Sequence, residues 1–137
     1  MQMNNNTFSS SILIVFIFLS SIMLSQLDRG VTIDVTTFNQ IKYISAIEYA
    51  NNAGLKHTFV DKKEKLIIQH KSKQIILSPN NSFILIDDKA YNLSIPIIYD
   101  GNDFWIPLES FLRLSNIQKL PLVRLDSSEK HLLIDFV

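Results

Sequence analysis

The sequence predicts an α+β fold, a twisted antiparallel β-sheet of short hairpins packed with two short helices, and three observations carry that expectation. First, one unit occurs twice: Tyr43-Ile44-Ser45-Ala46-Ile47-Glu48-Tyr49-Ala50 returns as Trp105-Ile106-Pro107-Leu108-Glu109-Ser110-Phe111-Leu112. Second, each copy is followed by the same strand–turn–strand signature with a charged turn, Val60-Asp61-Lys62-Lys63-Glu64-Lys65-Leu66 and Leu125-Asp126-Ser127-Ser128-Glu129-Lys130-His131. Third, the stretch between the copies is a run of short apolar segments separated by turn residues. Strands in series with helices at the seams describe an antiparallel sheet, not a doubly wound one.

The elements follow in order. Val31-Thr32-Ile33-Asp34-Val35 is β-branched and alternates at period two, as a strand does. Ile44, Ile47, Tyr49 and Ala50 recur at helical spacing. Ser45 with Glu48 three residues on makes a capping box, and Gly54 supplies a left-handed stop. Lys65 to His70 and Gln74 to Ser78 read as strands around Lys71-Ser72-Lys73, and Ser78-Pro79-Asn80-Asn81 as a turn. Phe83 to Ile86 and Ala90 to Leu93 flank Asp87-Asp88-Lys89. Ile95 to Tyr99 pairs with Phe104-Trp105 across Asp100-Gly101-Asn102, where Asp and Gly between apolar runs mark a hairpin. Pro107 is expected at the first position of the second helix, whose inward face is Leu108, Phe111, Leu112 and Ser115. Leu122 to Leu125 and His131 to Phe136 close the chain as a hairpin.

Ahead of this domain, Ile12 to Leu24 is apolar except for Ser20 and Ser21. It is long enough for a secretory signal and shorter than the roughly 20 residues of a spanning helix. Ser25 suits the position before a cleavage, whereas Met23 is large for its place and Met1 to Ser11 holds no Lys or Arg. Residues 1–26 are therefore expected to be a signal peptide or membrane anchor, and 27–137 one exported domain, in the periplasm or cell envelope.

Composition excludes several classes of function. Thirteen basic residues balance thirteen acidic ones, which argues against the cationic face of a nucleic-acid binder. With no cysteine, disulfides, thiolate metal sites and cysteine nucleophiles are ruled out. His57, His70 and His131 lack metal-site spacing, although the repeat suggests that His57 and His131 face each other. Asp87-Asp88 and Asp100/Asp103 fall at hairpin tips, where aspartate serves turn geometry rather than acid–base chemistry. No Gly-x-Ser-x-Gly elbow and no glycine-rich phosphate loop occurs. Tyr43, Tyr49 and Trp105 read mainly as core aromatics, with sugar stacking as the alternative. No catalytic, cofactor or metal residue is thus assigned. Residues 56–73 carry six lysines against Asp61 and Glu64, a net +4. Lys62, Lys63, Lys65, Lys71 and Lys73 are accordingly the candidate surface for an anionic polymer or headgroup, against the plain alternative of a solvated, lysine-protected sheet edge.

The repeated element resembles the copper amine oxidase-like N-terminal domain, on Tyr43-Ile44-Ser45-Ala46, Gly54-Leu55, Val60-Asp61, Ile95-Pro96-Ile97-Ile98 and Phe104-Trp105-Ile106-Pro107-Leu108-Glu109. The resemblance runs from about Val31 to Val137. It departs from the family pattern at Glu109, where Arg is common, and at Asn116, where Gly usually ends the second helix. It implies a non-catalytic α+β module without copper, found in exported bacterial cell-wall proteins and often ahead of an N-acetylmuramoyl-L-alanine amidase domain. The expected partner is peptidoglycan or another anionic wall polymer, with a possible membrane tether through Ile12 to Leu24 and no nucleic acid. Two alternatives stand beside this: the N-terminal region of such an amidase, whose catalytic motif this sequence lacks, and a membrane-tethered structural protein without ligand.

Overall fold

The computed structural model describes residues 31–135, so the 1–26 segment lies outside the described residues. The chain runs β1 (Val31–Phe38), β2 (Ile41–Ser45), α1 (Ala46–Asn52), β3 (Lys56–Val60), a 3-10 turn (Asp61–Lys63), β4 (Lys65–His70), β5 (Lys73–Leu77), β6 (Phe83–Ile86), β7 (Lys89–Asn92), β8 (Ile98–Tyr99), β9 (Phe104–Pro107), α2 (Leu108–Gln118), β10 (Leu122–Leu125) and β11 (His131–Asp135). This is the expected α+β fold, with its strands divided between two antiparallel sheets. One is six-stranded in the order β10-β11-β1-β2-β9-β8, and the other is a five-stranded meander of β3 to β7.

The two copies of the repeat meet by their first strands. β2 pairs antiparallel with β9, Tyr43 opposite Pro107, Ile44 opposite Ile106 and Ser45 opposite Trp105. In the repeat, Ile44 corresponds to Ile106, Tyr43 to Trp105 and Ser45 to Pro107. The ladder is therefore symmetric about the buried Ile44–Ile106 pair, a local two-fold axis within one chain. Two further contacts obey it. Tyr49 and Phe111, again equivalent, pack edge to face with centroids 4.8 Å apart. Phe38 lies between the equivalent rings of Tyr43 and Trp105, edge-on to both at 5.6 and 5.5 Å.

Each first strand enters its helix without a loop, and this corrects two expectations. Ile44 belongs to β2, and α1 begins only at Ala46. Pro107 is the N-cap of α2 rather than its first helical residue. Its ψ of 120° keeps it extended, because it still pairs with Tyr43 in the ladder. Half of the expected capping box forms: Ser45 Oγ accepts the Glu48 N–H at 2.8 Å. The return bond from the Glu48 carboxylate to the Ser45 N–H does not form; that carboxylate lies near Asp34.

Both helices stop in the same way. Gly54 N–H donates to Asn51 O and Leu55 N–H to Ala50 O; Lys119 N–H donates to Asn116 O and Leu120 N–H to Ser115 O. These paired bonds are the Schellman arrangement, which needs a left-handed residue at Gly54 and Lys119, with φ of 66° and 52°. Asn116 therefore does not end α2, which continues to Gln118. The extra turn explains why the copies are offset by 62 residues at Ile44/Ile106 and by 65 at Gly54/Lys119 and Val60/Leu125. On α2 the buried residues are Leu108, Phe111, Leu114 and Ser115, and Leu112 is only half-buried.

Elsewhere the expected hairpins form with shifted ends. β1 extends to Phe38 and turns into β2 through Asn39-Gln40, both at positive φ. Asp87-Asp88 alone makes the β6–β7 turn, also at positive φ, so Lys89 belongs to β7. Ile95 to Ile97 is not sheet; Ile97 exchanges backbone bonds with Asn80 and Asn81. Trp105 is half-buried rather than core, with its indole N–H donating to Asp100 Oδ2 at 2.8 Å.

Tyr49 is fully buried and its hydroxyl has no hydrogen-bond partner among the described residues. Burial pushes its pKa up. An unmatched buried hydroxyl costs about 1–3 kcal/mol, and Phe111 shows that the axis accepts a plain phenyl ring. Tyr49→Phe should therefore raise unfolding stability by about 1 kcal/mol, read as a higher denaturant midpoint at unchanged slope.

Candidate functional site

A half-open groove of about 590 Å³ flanks the β2–β9 seam. Gln40, Ile41 and Lys42 reach it from the β1–β2 hairpin, Ser94 and Ile95 from the β7–β8 loop, and Pro107, Glu109, Ser110 and Arg113 from the start of α2. Its walls follow from the fold. Ser110 Oγ donates to Leu93 O at 2.5 Å, which holds the β7–β8 loop against α2. Lys42 is tied to Glu129 of the β10–β11 turn, so its charge is already met. That pairing also holds the Glu129 carboxyl below its usual pKa, the Lys42 hydrogen bond first and its charge second. Glu109 and Arg113 are exposed, one turn apart on α2, and neither joins an ion pair among the described residues. The groove thus offers one cation and one anion, with hydroxyl and amide groups, over Ile41, Ile95 and Pro107. Sequence reasoning missed it, because its residues come from three segments with no shared motif.

A polar junction lies beside the seam. Ser45 Oγ donates to Asp103 Oδ2, while Asp103 Oδ1 accepts the N–H groups of Ile47 at 3.3 Å and Phe104 at 2.6 Å. Asp103, just ahead of the second copy, therefore caps α1 of the first, a structural role for a carboxylate at a hairpin end. Glu48, nearby, has a raised pKa through burial first, then through the charge of Asp34 and more weakly that of Asp103. Asp100 is lowered by the Trp105 indole N–H and by the backbone N–H groups of Asn102 and Asp103. At the second hairpin, Asp126 falls to about 2, chiefly through the Ser128 hydroxyl and then the His131 and Lys130 donors. His131 sits between Asp34 at 3.3 Å and Asp126 at 3.4 Å. Among the described residues no group of three or more His, Cys, Asp or Glu has metal-site geometry.

The structure separates the candidate lysines. Lys62 and Lys63 lie in the 3-10 turn at the β3–β4 tip, and Lys65 follows at the start of β4. Lys71 lies just past the other end of β4, about 20 Å from Lys65 along the chain at roughly 3.3 Å per residue. Lys73 is on the opposite face from Lys65 and donates from Nζ to Gln118 O at the end of α2, at 2.5 Å. There a cation meets the negative end of the helix, so its partner is internal. The five do not form one contiguous surface; only the tip group remains together, interleaved with Asp61 and Glu64. His57 lies on β3 of the five-stranded sheet and His131 on β11 of the six-stranded one, where the His131 ring is met by Asp34 and Asp126. No helix among the described residues is long and apolar enough to cross a membrane. Family models, curated proteins and solved structures were all compared with the chain, and none matches it.

His70 carries a pH dependence. It lies on the inner face of the five-stranded sheet opposite Lys73, with Nδ1 buried and without a hydrogen-bond partner among the described residues. Burial first, then Lys71 and Lys73, hold its pKa below 6.5. The unfolded chain then takes up this proton at higher pH than the folded chain. Its contribution to stability is present above 6.5 and is lost as pH falls toward the folded pKa. The denaturant midpoint should drop between about pH 7.5 and pH 5.5, and His70→Leu should flatten that part of the profile.

Proposed function

We propose that this chain is a non-catalytic module of the cell envelope that binds or positions a wall polymer, peptidoglycan foremost. Its 1–26 segment would serve for export, as a cleaved signal or as a tether. The observation that supports this reading is the seam groove. It is only half enclosed and offers Arg113 and Glu109 as separate charges, with amide and hydroxyl groups beside apolar residues. Such a lining suits a polymer bearing carboxylates, amines and amides better than a small substrate that must be enclosed for reaction. Ser110, the hydroxyl nearest the helix start, is engaged by the Leu93 carbonyl rather than by a base. The buried, hydrogen-bonded two-fold frame beside the groove is the kind of support that a positioning module requires.

The test is retention of the full chain on insoluble peptidoglycan at low and high salt. Arg113→Glu, an exposed change, should abolish retention while leaving the unfolding midpoint within about 0.5 kcal/mol of the original. The Lys62/Lys63/Lys65→Glu triple variant should retain most of it. The reverse order of effects would move the contact to the β3–β4 tip. No retention of the unaltered protein would remove the binding role and leave a spacer.

A further inference from the structure

The five-stranded sheet buries only one face. Leu66, Ile68, Ile75, Leu77, Ile84 and Ile86 point into the core. An antiparallel sheet with water on its other side normally carries polar residues there. Here one residue from every strand forms a straight cross-strand row: Thr58 opposite Ile67, Ile67 opposite Ile76, Ile76 opposite Leu85, and Leu85 opposite Ala90. The row spans about 20 Å, at roughly 4.8 Å between strands. Ile67, Ile76 and Leu85 are half-buried, Thr58 and Ala90 are exposed, and Phe83 beside the row is 46% exposed.

The neighbouring row on this face is polarised. It begins at Lys56 on the β3 edge, passes Gln69 and Gln74, and ends at the Asp87-Asp88 turn on the β7 side. A face that is apolar along its middle, positive at one end and negative at the other is complementary to itself when turned over.

We propose that this face stacks on the same face of a second copy of the chain, about a two-fold axis parallel to β5. That operation lays β3 over β7 of the partner copy. Ile76 then meets Ile76 of the other copy, Thr58 meets Ala90, and Lys56 meets Asp88. A two-fold axis across the strands would instead lay β3 over β3 and leave Lys56 without an acidic partner. None of the residues that this sandwich brings together lines the seam groove.

The chain has no cysteine, so single thiols can be introduced cleanly. Packed sheets lie about 10 Å apart, too far for a direct disulfide but within reach of a short bis-maleimide. Full-length Ile76→Cys, treated in the cells that express it, should give a dimer band whose linked peptides both come from this chain. Ser127→Cys, at an exposed turn away from the face, should give none. The Thr58→Cys/Ala90→Cys pair, at two exposed positions, should link while Thr58→Cys alone does not. Lys56→Asp should remove the dimer band, and adding Asp88→Lys should restore it. Linking of Ile76→Cys no greater than that of Ser127→Cys, or self-linking of Thr58→Cys, would overturn the proposal. So would dimers that survive Lys56→Asp unchanged. If Ile76→Cys fails to accumulate, the Thr58/Ala90 pair decides alone.

Discussion

The antiparallel pairing of β2 with β9, centred on Ile44 and Ile106, is the constraint on which the rest of the molecule depends. Both strands pass directly into their helices, so the ladder fixes where α1 and α2 begin and how they approach. Tyr49 and Phe111 can meet edge to face only because equivalent residues on equivalent helices straddle one axis. Asp103 strengthens the same seam, since a residue preceding β9 caps the helix that follows β2. The groove inherits its shape from this junction, having one wall on the β1–β2 hairpin and the other on the first turns of α2.

The two copies diverge after their helices, and that divergence makes the fold. The first hairpin, β3–β4, continues into a five-stranded meander. The second, β10–β11, returns to β1 and completes the six-stranded sheet. With so few glycines in the chain, many turns use other residues at positive φ, among them Asn39, Gln40, Asn80, Asp87 and Asp88. A non-glycine residue there costs about 1–2 kcal/mol. Local side-chain acceptors offset part of it, as where Asp87 Oδ1 accepts the Gln74 N–H at 2.9 Å.

Sequence made the repeated unit legible because its signals are local. Ser45, Gly54 and the aspartate turns act on neighbouring backbone groups, and each lies where its chemistry requires. What failed were inferences about distance between segments. Nothing in the spacing of Lys65 and Lys73 shows that they point to opposite faces, or that Lys73 is taken by the end of α2. Asn39-Gln40 was unreadable as a two-residue turn because it lacks glycine. Trp105 resembled core because its equivalent, Tyr43, is buried, yet an exposed aspartate acceptor draws its indole toward the surface. The groove and the polarised outer row are likewise products of assembly, written in register rather than in motif.

Native-state hydrogen exchange, resolved by residue, tests the central claim most directly. If the β2–β9 ladder holds the fold together, its amides should exchange only by global unfolding, as slowly as any in the protein. The outer strand β7 and the short β8 should open at lower free energy. Exchange of β2 and β9 by a sub-global opening, while β4 and β5 stay fully protected, would contradict the account and place the stable nucleus in the five-stranded sheet.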